Sequence, residues 1–378
     1  MKILIAPNGF KESLSASQVA EAIYLGFSEQ FPDASYTLLP LADGGEGTLH
    51  CLCGDDSHHL IFTRVHNANH ENISVPYGLL KDTQTVVIES AEALGLTLIE
   101  PSTRNAWLAS SYGLGQLIIH ALDQGYRKFI LGLGGTATCD GGMGALSALG
   151  ARFLNAAQQP VSSGAKGLLE LADIDISQLD SRLKETTFTL AHDVSNTWLG
   201  EKGALMYVLQ KGATETELPD FHKAFQNYAD ILNNRLGKKL TDIPGTGAAG
   251  GMALAFLAFT KTTLEPGGEF ILKNVNIQKA LAQCDLIITG EGQMDEQSLY
   301  GKMPITLGRL AKEQKIPVIA VTGNLGQNYQ RVYECGINAV LSISPGPISY
   351  ESSLKHGRVL LTATANHIAR LVRIGNII

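Results

Sequence analysis

The stretch "ITGEGQMDEQSLYGK" (288–302) sets Glu291, Asp295, Ser298 and Lys302 within a few positions of an apolar run, on a backbone studded with glycine. Five other segments repeat that chemistry: "APNGFKESLSA" (6–16), "LADGGEGT" (41–48), "GLGGTATCDGG" (132–142), "AHDVSN" (191–196) and "PGTGAAGGM" (244–252). Glycine lets backbone N–H groups approach an anion closely, above all at a helix N-terminus. Nearby carboxylates hold Mg²⁺ or take up a proton, and phosphate chemistry needs both functions. The residues alone therefore point to a site that handles phosphoryl groups.

For such loops to act together, the elements before them must end on one edge. "KILIAP" (2–7) reads as a buried strand. It is followed by a helix with Ser15 and Gln18 as a capping box and apolar residues at 19, 22, 23, 26 and 27. "TVVIES" (85–90) and "TTFTLAHDV" (186–194) read as strands, the second delivering His192 and Asp193 to its end. A polar amphipathic helix is expected over roughly 219–235. "CDLIITGEG", "IPVIAVTGN" and "INAVLSISP" are three apolar strands separated by "PITLGRLAKEQK" and "QNYQRVYECG". Strands alternating with helices imply parallel βαβ units, and ligands in such sheets bind beyond the strands' carboxyl ends. The fold class expected is α/β with two α/β domains. One is Rossmann-like with a parallel sheet, formed by 1–72 plus 275–378. The other is a mixed α/β insertion, 73–274.

A chain of 378 residues exceeds a typical single core. Its formal net charge of −7 and lack of any Lys/Arg run argue against nucleic acid or an anionic membrane as partner. A small-molecule substrate is expected, and a homo-oligomer is compatible with the sequence. No apolar stretch has the length of a membrane span, the start is not that of a signal peptide, and the five scattered cysteines read as reduced thiols, so a cytoplasmic location is expected. Cys51, Cys53, His58 and His59 do not have structural-zinc spacing. "GTGAAG" (245–250) matches a dinucleotide fingerprint in letters. It follows a poor strand, though, and neither Glu265 nor Glu269 is a convincing ribose acid. Packing by small residues is the stronger reading there, and for His192 a buried imidazole outweighs a catalyst. No P-loop or protein-kinase signature is present.

In this order the six segments resemble the bacterial type-1 glycerate kinase family, over essentially the whole chain. The resemblance implies transfer of the γ-phosphoryl of ATP to a hydroxyl of D-glycerate, with Mg²⁺, in a cleft between two α/β domains; phosphorylation at the 2-position is favoured over the 3-position. It departs from the usual family pattern at Asn8-Gly9 (usually Asp-Ser), Cys139 (usually Asn) and Asn196-Thr197 (usually Asn-Pro).

Within that scheme Lys11 supplies charge toward the substrate carboxylate or the transferring phosphoryl. Backbone at Gly134, Gly135 and Thr136, and at Gly290, Glu291 and Gly292, is expected to cradle the nucleotide's phosphates. Asp43 and Glu46 are the metal candidates. Asp193, then Asp295, are the candidates for proton acceptor. Two alternatives stay open on the residues themselves: a nicotinamide-dependent hydroxy-acid oxidoreductase and a non-catalytic nucleotide- or sugar-acid-binding module.

Overall fold

The structure is a computed structural model that describes residues 1–54, 59–80, 84–237, 239–299 and 301–375. Its strands, in chain order, are β1 (Lys2–Ile5), β2 (Ser35–Leu38), β3 (Leu60–His66), β4 (Asn72–Leu79), β5 (Thr85–Glu89), β6 (Lys128–Leu133), β7 (Arg152–Leu154), β8 (Asp173–Asp175), β9 (Thr187–His192), β10 (Lys261–Pro266), β11 (Leu286–Met294), β12 (Val318–Leu325) and β13 (Ala339–Ser342). The chain divides into two compact units, Met1–Asp43 with Gly268–Ile378, and Gly44–Gly267.

The first unit is built on a five-stranded parallel sheet in the order β13-β12-β11-β1-β2. β1 lies between β2 and β11, with Ile3 opposite Leu286 and Ile5 opposite Ile288. Strands buried on both faces carry unbroken apolar runs, as in "KILI" and "LII". The helix Ala16–Ser28 begins at the capping box, Ser15 accepting from the Gln18 N–H and Gln18 from the Ser15 N–H. It buries Val19, Ala20, Ala22, Ile23, Gly26 and Phe27 against the sheet and the long C-terminal helix Tyr350–Gly375.

The second unit holds a six-stranded mixed sheet, β10-β9-β6-β5-β4-β3. β10, β9, β6 and β5 are parallel, whereas β4 and β3 close one edge antiparallel. A two-stranded β7-β8 ribbon sits beside it. Its core includes Trp198, Phe221, Phe225 and Tyr228, the last three on the helix Leu218–Leu236.

Some expectations change. The sequence pattern groups residues 44–72 with the N-terminal strand, but β3 pairs with β4 from Leu60↔Gly78 to His66↔Asn72, so this stretch belongs to the second unit. At the other boundary the first unit resumes at Gly268, not at residue 275. A further change concerns Gly290–Gly292, whose glycines suit a turn. β11 continues through it to Met294, opposite β12 up to Leu325. The sheet extends because glycine lets adjacent backbones come close: a Cβ on Gly290 would lie 2.4 Å from the Val321 carbonyl oxygen. "QNYQRVYECG", expected as a helix, is a 3₁₀ segment, Tyr329–Cys335.

The two helices of the first unit meet closely at Gly26, where a Cβ would lie 2.5 Å from the Thr362 carbonyl oxygen and 2.7 Å from the Ala365 Cβ. Gly26→Val should therefore lower stability by about 1–3 kcal/mol through overpacking. A lower urea midpoint at unchanged m-value is the expected result.

Candidate active site

In the first unit the C-terminal ends of β1, β11 and β12 and the start of the C-terminal helix surround a cavity of about 470 Å³. Asn8, Lys11, Asp43, Glu291 and Lys302 line it, together with backbone at Gly292 and Gly323. Parallel pairing sets this arrangement. The Asn8 N–H donates to the Gly290 carbonyl (2.8 Å), which carries the Asn8–Lys11 loop across the end of β11. Gly292 leaves room for that loop, since a Cβ there would be 3.4 Å from the Lys11 nitrogen. The Asn8 side-chain amide donates to Asp43 Oδ2 at 3.2 Å. An aspartate at position 8 would instead face Asp43 with a second carboxylate, so asparagine here supplies a donor where an acid would repel.

Glu291 has a side chain only 6% exposed. Lys302, at the N-terminus of the helix Met303–Glu313, places its Nζ 3.2 Å from Glu291 Oε2, as the spacing in "EGQMDEQSLYGK" allows. Burial pushes the Glu291 carboxyl up to about 6, the Lys302 ammonium and the Ser298 hydroxyl acting in the opposite direction and Asp43 raising it further. Asp295, just past the end of β11, accepts from the Gln293 amide (2.7 Å) on Oδ2 and from the Ser298 N–H (3.3 Å) on Oδ1. These bonds make it the cap of the Glu296–Leu299 turn.

The second unit gathers the remaining candidates among its own strand ends. Gly134 follows β6 and Asp193 follows β9, and these strands are neighbours. A Cβ on Gly134 would sit 2.6 Å from Asp193 Oδ2 and 2.8 Å from the Gly45 Cα, so glycine at 134 admits the aspartate and the loop preceding Glu46. Gly135 is exposed and its carbonyl accepts from the Leu96 N–H (2.8 Å), while Thr136 is buried. Glu46 is exposed. His192 is buried against Gly245, and burial holds its imidazole below the usual range. The "GTGAAG" glycines pack in the same manner, a Cβ on Gly250 meeting the Thr138 carbonyl oxygen at 1.9 Å. Cys139 is buried and its thiol is pushed up by burial, which makes it a poor nucleophile. Cys53 packs against Gly78; His58 lies outside the described residues.

Glu89, at the end of β5, was legible only as a strand terminus. Its two carboxylate oxygens accept from the Gly47 and Leu49 N–H groups, each at 3.0 Å, and so fix the loop that bears Glu46. Burial pushes the carboxyl up to about 8, with nearby Glu92 and Glu46 adding to the rise and the two N–H bonds opposing it. An apolar strand ending in glutamate was the available signal; its burial depends on pairing with β6 and on the helix Thr48–Cys53 packed over it.

Comparison with known proteins supplies the assignment. The model of the glycerate kinase family matches residues 3–373. The chain belongs to the glycerate kinase family. It is 42% identical over 368 residues to a glycerate kinase of Halalkalibacterium halodurans, covering 97% of both chains. It is 38% identical over 376 residues to the glycerate 2-kinase of Escherichia coli K12, covering 99% of both. A crystal structure from Salmonella typhimurium LT2, provisionally described as glycerate kinase 2, matches with a TM-score of 0.81 at 39% identity over the full length of both chains. The α/β fold class read from the sequence is thus the fold of this family.

The raised Glu89 carboxyl gives a test in pH. Between the ordinary carboxylate pKa near 4.5 and the folded value of about 8, the folded chain holds a proton that the unfolded chain has lost. Stability should therefore decline as pH rises through that window. Comparing wild type with Glu89→Gln by denaturant unfolding at several pH values should show a steeper decline in the wild type, the part that remains in the variant coming from other buried acids such as Glu291.

Proposed function

We propose that this chain is an ATP-dependent glycerate kinase that transfers the γ-phosphoryl group to D-glycerate, at the 2-hydroxyl in preference to the 3-hydroxyl. The observation that carries this reading is the cavity of the first unit, where two lysines, two carboxylates and glycine backbone line a space suited to a small organic acid and phosphate groups. The name of the Escherichia coli relative favours the 2-position.

Phosphoryl transfer leaves the protein mainly positioning and charge neutralisation. Lys11 and Lys302 bring positive charge to the cavity for the substrate carboxylate and the migrating phosphoryl. Backbone at Gly134, Gly135 and Thr136, in the second unit, is the segment that sequence position offered for phosphate. Asp193 and Asp295 are the carboxylates that sequence position offered for the proton.

The donor chemistry suits Mg²⁺. Mg²⁺ ordinarily keeps several waters and binds through one or two carboxylates together with substrate phosphates; among the described residues no three His, Cys, Asp or Glu side chains form a group that could hold a metal. Asp43 is a hard oxygen donor in the cavity, and the exposed Glu46 is the second candidate. Bound Mg²⁺ would neutralise charge on the nucleotide's phosphates.

The nicotinamide reading draws no support from the family or from "GTGAAG". No helix among the described residues is long and apolar enough to cross a membrane.

Two measurements test the proposal. A coupled ADP-release assay should respond to D-glycerate and ATP together and to neither alone, and phosphorus NMR of the product should show 2-phosphoglycerate. Lys11→Ala should lower kcat/KM for glycerate by at least about tenfold, the equivalent of one charge-assisted contact near 1.4 kcal/mol. An unchanged value would remove Lys11 from the site.

A further inference from the structure

We infer that Glu291, through its Oε1 atom, is the group that accepts the proton from the glycerate hydroxyl during phosphoryl transfer. The inference rests on the kinase reading above and names a residue for a step which that reading leaves open.

The two oxygens of Glu291 have different surroundings. Oε2 pairs with Lys302 Nζ, and that ammonium also donates to the Gln293 carbonyl (3.4 Å). Oε1 is buried and has no hydrogen-bond donor among the described residues. Leaving such an acceptor unsatisfied costs about 1–3 kcal/mol, so its persistence in a folded chain calls for a reason. A donor from the ligand is one, because Glu291 lines the cavity that also presents Lys11 and Asp43. A small shift of the neighbours that cover Oε1 on substrate binding would let the substrate hydroxyl supply the missing hydrogen bond through the proton it will lose.

The other carboxylates are engaged differently. Asp295 already has a donor on each oxygen and serves as a turn cap. Asp43 Oδ2 accepts from Asn8 and is the cavity's metal candidate. Asp193, in the second unit, packs against Gly134. Burial also makes the Glu291 carboxyl more basic than an ordinary one, which suits proton uptake near neutral pH. The Lys302 pairing fixes the side chain on β11, whose strand geometry holds it more rigidly than a loop would.

The step balances. The glycerate oxygen forms a bond to the γ-phosphorus, the bond from that phosphorus to the β,γ-bridging oxygen breaks, ADP leaves, and the hydroxyl proton passes to Glu291 Oε1 and then to solvent.

The test uses the full-length protein with Glu291→Gln and Glu291→Asp. Turnover is measured by ADP release, and ATP and D-glycerate affinities by calorimetry. Circular dichroism and thermal melting establish that both variants fold. Glu291→Gln should lower kcat by about 10²–10⁴-fold with both affinities retained, and Glu291→Asp should recover part of the loss. Near-wild-type kcat in Glu291→Gln would overturn the inference. So would loss of ATP or glycerate binding in step with kcat, which would make Glu291 a binding residue. Should Glu291→Gln fail to fold, a fully active Glu291→Asp would likewise overturn it and a partly active one support it. Wild type that releases no ADP with glycerate would defeat the kinase reading itself, an outcome distinct from all of these.

Discussion

The insertion of β1 between β2 and β11 is the constraint on which the first unit depends. It joins residues 283 positions apart in the chain, with Ile3, Leu4 and Ile5 opposite Leu286, Ile287 and Ile288. Parallel pairing brings like ends of strands to the same edge, so the loop after β1 and the end of β11 emerge together. Lys11 and Asn8 come from one, Glu291 and Lys302 from the other. If that pairing were lost, no local propensity would bring these groups into one cavity.

Charge in the cavity is balanced at close quarters. An isolated buried carboxylate would be costly, and Lys302 offsets part of that cost for Glu291 without satisfying both oxygens. Asn8 plays a comparable part toward Asp43, donating where a carboxylate would repel. The cavity therefore sets acids and cations side by side, two lysines with two carboxylates. The second unit solves a related problem with backbone: Glu89 is buried, and two N–H groups from the loop beside Glu46 satisfy it. One carboxylate thereby becomes the anchor of a loop carrying another.

Several glycines that look like phosphate cradles in a linear reading have a second use in three dimensions. Gly134 gives way to the Asp193 carboxylate, Gly245 to the His192 ring, and Gly290 to the neighbouring strand. Their clustering beside acids and histidine marks where neighbouring side chains and strands need space as well as where an anion could approach. This is why the "GEG" segment stays within β11 when its composition suggests a turn. Glycine tolerates both states, and the ladder with β12 decides between them.

The sequence by itself determined the family, the α/β class, the strands with continuous apolar runs and the capping box at Ser15–Gln18, because these depend on periodicity, local hydrogen bonds and ordered motifs. It also singled out Lys11, Asp43 and Glu291. Tertiary structure alone decided that β3 pairs with β4 and so moves residues 44–72 into the second unit, since antiparallel register is a property of two segments. It also decided which carboxylates are buried, paired or left with an unmet acceptor. Glu89, Glu291 and Asp295 read alike as acids near strand ends. Burial, two N–H donors, one ammonium and a turn cap made them three different chemical groups, because a carboxylate's basicity and reach are set by neighbours that the linear order does not reveal.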